Sequence, residues 1–218
     1  MEKKTKMEKE KALQSGTTTL AIVCKDGIVL GADRRSAFFG GFVTYKRAKK
    51  ILPITDWIVV TTAGVVSDIE LLVKIIKAEL KLKELQTNRA PNVKEAANLL
   101  AGLNYEIFRA PTLIPGIASF LIAGKDESGF HAYSVGPDGS LLEILDFAAD
   151  GSGEVFVLGV LETIYKKDIS VEEGVKIALK ALNAAIERDL HSGNGIDIVT
   201  ITNKGIQTVV EKEIKIQL

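Results

Sequence analysis

The sequence is poor in the residues on which most enzyme active sites depend. It has one cysteine, Cys24, and two histidines, His131 and His191, in 218 residues. A lone cysteine forms no intramolecular disulfide, and a reducing compartment is its natural setting. Neither histidine stands near a serine or cysteine in a G-x-S-x-G or comparable context, which excludes the usual histidine-activated nucleophiles. No Cys/His cluster has zinc-site spacing, and no G-x-x-x-x-G-K-[ST] run occurs to cradle a phosphate. Neither a metal nor a cofactor is therefore expected. Surplus charge is missing too, because Lys plus Arg and Asp plus Glu both number 28. A nucleic-acid or anionic-membrane partner would need clustered excess lysine and arginine. No uncharged apolar run reaches membrane-spanning length. The opening MEKKTKMEKEKALQSG, which holds both methionines, Met1 and Met7, lacks the apolar centre of a secretory signal. A cytoplasmic protein is expected.

What is present begins abruptly at Gly16. The charged leader before it has too little apolar surface to offset its ordering entropy. Thr17 to Cys24 is β-prone, Lys25-Asp26-Gly27 forms a turn, and Ile28 to Ala32 reads as a second strand. Cys24, in an apolar strand, reads as a small buried hydrophobe. Two more strands are expected at Ile51–Ile54 and Trp57–Thr62. Ile69, Leu72, Val73, Ile76 and Leu80 then recur at helical spacing. Asn88 to Pro91 interrupts, and Ala96, Leu99, Leu100, Leu103 and Ile107 outline a second helix ending near Pro111. Strands return at Ile117–Ala123, Phe130–Val135 and Leu141–Phe147. After Gly151-Ser152-Gly153 comes a helix through Val157, Leu158 and Leu161. Ser170 and Glu173 form a capping box for a fourth helix, and strands at Ile196–Thr202 and Ile206–Val210 close the chain. Strands and helices are thus segregated in pairs, which disfavours alternating βαβ units. An α+β fold is expected: two antiparallel sheets face to face, each covered by a helix pair.

Gly16-Thr17-Thr18-Thr19, Asp33-Arg34-Arg35, Lys50 and Thr62-Ala63-Gly64 each have a plain explanation singly. A threonine triplet is good strand material, and an edge lysine is commonly solvated. Together they form an ordered set. GTTTLAIVCKDGIVLGADRR, then KKI, TTAG, GSG followed by GVLE, and RDxxSG at Arg188–Gly193 closely resemble a proteasome β subunit of archaeal type. The resemblance runs from Gly16 almost to the C-terminus. It implies the N-terminal-nucleophile fold, a four-layer αββα sandwich, which agrees with the element order. It departs by one residue inserted in the loop Ser36–Ala48, and by Glu154 where a small polar residue is common.

The resemblance implies a threonine-type endopeptidase. Residues 1–16 would be a removable propeptide and 17–218 a single catalytic domain, with cleavage between Gly16 and Thr17. Thr17 would be the nucleophile, with Asp33 and Lys50 as catalytic partners and Gly64 supplying the oxyanion N–H. Arg35, Ser152, Asp189 and Ser192 would support them. A threonine hydroxyl needs a nearby base. The α-amino group of a free Thr17, titrating near ~7.7–8.0, is suited to that task. While Gly16 is attached that nitrogen is an amide, so the leader blocks the base. A permanently charged Lys50, held by Asp33, would lower the proton affinity of hydroxyl and amine. Ser36, Ala48, Leu52, Thr62, Val66 and Glu70 would surround the pocket for the residue before the cut. Glu70 reads equally as a solvated first-turn helix residue, and broad, hydrophobic-tolerant cleavage is expected. Implied partners are proteasome α subunits and other β subunits in stacked seven-membered rings, an ATPase regulator acting indirectly, and polypeptide substrates. Three alternatives stay open: a non-catalytic subunit of the same ring, a competent one processed only beside a sister β subunit, and the simpler bacterial peptidase of this fold. The GVLE helix and RDxxSG segment favour the proteasome over the last.

Overall fold

The computed structural model describes residues 16–38, 42–112 and 116–214. Of the expected leader, only Gly16 falls within these residues. The first sheet contains β1 (Thr18–Cys24), β2 (Gly27–Asp33), β10 (Phe147–Gly151), β11 (Gly195–Thr202) and β12 (Gly205–Glu213), in the order β10-β1-β2-β11-β12. The second contains β5 (Ile51–Pro53), β6 (Ile58–Gly64), β7 (Ala118–Asp126), β8 (Gly129–Val135) and β9 (Leu141–Glu143), in sequence order. All their pairings are antiparallel. Helices α1 (Val66–Thr87) and α2 (Val93–Arg109) follow β6, while α3 (Glu154–Ile164) and α4 (Val171–Arg188) follow β10.

Strand alternation explains the layering. In β1, Leu20 and Ile22 turn to the α3/α4 side with Val157, Leu161 and Leu182, while Ala21 faces the other sheet. In β7, Phe120 and Ile122 pack with Leu72, Ile76 and Leu100 of α1 and α2, while Leu121 and Ala123 face inward. The inter-sheet layer of Ala21, Leu30, Val59, Leu121 and Ile201 is buried. Two-sided burial is why these strands read as continuous apolar runs. The result is the αββα sandwich.

Two details differ from the sequence expectation. The stretch expected as one strand at Leu141–Phe147 is divided between the sheets. β9 pairs with β8, Leu145 is exposed, and Asp146 Oδ1 accepts the N–H of Phe147 at 2.7 Å as the chain crosses to pair with β1. The segment read as the loop Ser36–Ala48 holds a hairpin, β3 (Ser36–Phe38) and β4 (Phe42–Tyr45). Asn88 ends α1 in the left-handed conformation, φ 51°, and Ser170/Glu173 form the expected capping box of α4. Among the described residues no helix is long and apolar enough to cross a membrane.

Candidate active site

Asp33, the last residue of β2, organises one end of the sandwich. It is fully buried. Its Oδ1 accepts the Thr18 N–H at 2.9 Å and Lys50 Nζ at 2.6 Å. Its Oδ2 accepts the N–H groups of Arg35 and Gly193, each at 2.9 Å. A buried carboxylate requires such partners, and here they come from four separate stretches of chain. Backbone bonds hold those stretches in register. The Arg34 N–H donates to the Gly193 carbonyl at 3.1 Å, the Ala48 N–H to the Arg34 carbonyl at 3.0 Å, and the Thr62 N–H to the Lys50 carbonyl at 2.9 Å.

Lys50 precedes β5 and is buried. Besides Asp33, its Nζ lies 3.3 Å from the Gly16 carbonyl oxygen. Burial pushes its pKa below the ordinary lysine value, with the Asp33 carboxylate opposing.

Thr17 is buried beside these groups, and its Oγ1 donates to the Gly16 carbonyl oxygen at 2.8 Å. Ser152 Oγ lies 3.3 Å from Thr17 N, 3.2 Å from the Thr17 carbonyl and 2.7 Å from Asp189 Oδ2. Its one proton suits the shortest contact, leaving a lone pair for the Thr17 N–H. Ser192 Oγ donates to the same Asp189 oxygen at 2.6 Å and sits 2.6 Å from Thr18 Oγ1. Arg35 fixes this loop, donating to Asn194 Oδ1 at 2.9 Å and to the Leu190 carbonyl at 2.7 Å.

Gly16 makes an isolated antiparallel bridge with Ala37. A Cβ on Gly16 would fall inside the His191 side chain, so only glycine fits at this position. Gly64 ends β6 at φ +123°, and a Cβ there would collide with the Ile117 carbonyl.

The residues expected around a specificity pocket are more dispersed. Thr62 is buried, and its Oγ1 donates to the Lys50 carbonyl at 3.4 Å. Leu52 packs against the α1/α2 core. Ser36 and Ala48 are half-buried, and Val66 is exposed. Glu70 is turned to solvent with Lys74 4.0 Å away. Sequence reasoning missed the Gly193 N–H and the Thr18 hydroxyl as members of the network. The first is invisible because a backbone donor has no side-chain signature, although Gly193 closes the RDxxSG run.

The four-layer αββα sandwich of two antiparallel sheets is that of the N-terminal-nucleophile hydrolase fold. Residues 13–201 match the family model described as "Proteasome subunit". "Proteasome subunit beta" of Ferroglobus placidus is 42% identical over 92% of this chain and 93% of that protein. Its counterpart in Nanoarchaeum equitans is 45% identical over 88% and 95%. "Proteasome subunit beta 2" of Pyrobaculum arsenaticum is 39% identical over 94% and 97%. The chain belongs to the proteasome subunit family, and these relatives are β subunits. Membership implies assembly into the rings of a core particle.

Proposed function

We infer that this chain is a proteolytic β subunit whose nucleophile is the Thr17 hydroxyl, freed when the chain cuts its own Gly16–Thr17 bond. The observation that carries this reading is the environment of that bond. Thr17 Oγ1 is hydrogen-bonded to the Gly16 carbonyl oxygen at 2.8 Å, and Lys50 Nζ stands 3.3 Å from the same oxygen. In the cut, Oγ1 bonds to the Gly16 carbonyl carbon, the carbon–nitrogen bond breaks, and the hydroxyl proton ends on the departing nitrogen. Water then hydrolyses the resulting ester. The products are residues 1–16 ending in a carboxylate and a domain of residues 17–218 beginning with a free amine.

That amine is the base for later turnovers. It takes the Thr17 hydroxyl proton as Oγ1 attacks a substrate peptide carbonyl, then delivers it to the leaving amine. Ser152, with Asp189 and Ser192 behind it, holds the amine. Lys50 stabilises the developing alkoxide, and the Gly64 N–H faces the oxyanion. Substrates are unfolded polypeptides. The solvated position of Glu70 supports broad, hydrophobic-tolerant cleavage over a preference for basic residues. The chain works in stacked seven-membered rings with α subunits and other β subunits, in the cytoplasm, with an ATPase regulator outside.

Co-expression of the full chain with its α subunit tests this reading. The unaltered β chain is expected to begin at Thr17 by intact mass and to hydrolyse fluorogenic peptides. Thr17→Ala is expected to keep its leader and to lose about a thousandfold or more in turnover. A Thr17→Ala chain that nevertheless begins at residue 17 would sink self-cleavage. An unaltered chain that keeps its leader inside the assembled particle would instead indicate a structural subunit or one processed only beside a sister β subunit.

A further inference from the structure

We propose that Ser119 and Asp150 are positioning residues that set the orientation of the Ala63–Gly64 peptide. The inference rests on the reading above, in which the Gly64 N–H is the oxyanion donor. Ser119 lies on β7 directly opposite Ala63 of β6, and Asp150 lies on β10 opposite Thr19 of β1. Ser119 Oγ and Asp150 Oδ2 are 2.6 Å apart. This bond joins the two sheets through the strand next to each working element: β10 beside the strand that follows Thr17, β7 beside the strand that ends at Gly64.

The second contact of Ser119 gives the link its role. Its hydroxyl lies 3.4 Å from the Ala63 carbonyl oxygen. That carbonyl and the Gly64 N–H belong to one planar peptide unit. A donor holding the oxygen fixes the plane, and with it the direction of the N–H. Polarisation through the amide also strengthens the N–H as a donor.

Ser119 has one proton for two acceptors. If Asp150 is ionised, the proton is held by the carboxylate. If Asp150 carries its own proton, the acid donates to Ser119 Oγ and the serine proton turns to Ala63. Burial raises the pKa of Asp150, opposed by its bonds to Ser119 and the Gly151 N–H, and the geometry admits the second arrangement, with Ser119 Oγ in reach of both oxygens. In the second arrangement the relay runs from Asp150 to Ser119 to the Ala63 carbonyl.

Two variants, assembled with the α subunit and normalised by the fraction of chains beginning at Thr17, test the proposal. Ser119→Ala removes the donor to Ala63 and is expected to lower kcat about tenfold at unchanged KM, less than the ~10²–10³ typical when an oxyanion donor itself is deleted. Asp150→Asn presents an amide N–H to Ser119 and is expected to keep kcat within about twofold, as a relay requires. Wild-type kcat in Ser119→Ala, a Ser119→Ala defect confined to KM, or an equally deep kcat loss in Asp150→Asn would overturn it. Thr17→Ala in the same assay separates the two levels. If it turns over peptide, or if the unaltered chain does not, the threonine reading fails and the proposal falls with it. If Thr17→Ala is inactive and Ser119→Ala is fully active, only the proposal fails.

Discussion

Lys50 holds two demands in one side chain. It must bring a positive charge to the carbonyl of Gly16, and it must fit a buried site where the same nitrogen meets Asp33 at 2.6 Å. Arginine satisfies the first demand and not the second, because its planar guanidinium is larger than a compact ammonium. Lys50→Arg is therefore expected to resemble Lys50→Ala, with leader removal and peptide hydrolysis both down by about a hundredfold or more. Intact mass and a fluorogenic assay read both variants, and near-normal cleavage in Lys50→Arg would reduce Lys50 to a simple fixed charge. At this scale the sequence was most legible where chemistry is carried by side chains in short runs. Thr17, Asp33 and Lys50 were singled out through the resemblance those runs carry, and the structure links them through Lys50 Nζ and the Gly16 carbonyl. Ser119 and Asp150 were not legible. They sit in separate sheets 31 residues apart, and neither belongs to a run whose spacing signals contact.

At the scale of elements, helix α2 shows how one carboxylate can hold a helix start. Asn92 Oδ1 accepts the Glu95 N–H at 2.8 Å, and Glu95 Oε2 accepts the Asn92 N–H at 3.0 Å. The sequence showed only an interruption at Asn88–Pro91, since Asn-x-x-Glu is a weaker signature than the Ser-x-x-Glu box of α4. Glu95 also binds Arg89 at 2.7 Å and Lys83 at 2.9 Å. The hydrogen bond from Arg89 is the main cause that lowers its pKa from 4.5 to about 2. A carboxylate whose folded pKa is depressed adds stability above its unfolded pKa and loses it as pH falls through the folded value. Glu95→Gln is thus expected to cost about 1 kcal/mol at pH 7 and progressively less between pH 4.5 and 2. Urea titrations of both chains at pH 7 and pH 3 check this. The division of Leu141–Phe147 between two sheets escaped the sequence for a similar reason. Its apolar pattern is continuous, and only the local bond at Asp146 marks the crossing.

The whole molecule is joined across its middle layer. Leu121 and Val59 from one sheet meet Ala21 and Leu30 from the other, all buried, so each half covers its inner face only against its neighbour. Leu121→Ala is expected to cost about 2–5 kcal/mol without separating the halves. Trp57 reports on the β5/β6 half, while far-ultraviolet circular dichroism reports on helices α1 to α4 together. Denaturation curves from the two probes should coincide in both the parent and the variant. Curves that separate would show that the halves unfold independently.

The topology also acts as a clock. Thr17 and Ser152 are 135 residues apart, and Asp33 meets the Gly193 N–H 160 residues downstream. The strand that follows the threonine pairs with β10, and the strand that ends in Asp33 pairs with β11. During synthesis at ~5–20 residues per second, the first strands wait on the order of 10–30 s for the partners that complete the site. A nascent chain on the ribosome carries Thr17 and Asp33 from the start but not yet the Ser152 and Gly193 groups that meet them in the fold. The long sequence separation therefore delays assembly of the site until translation is nearly finished.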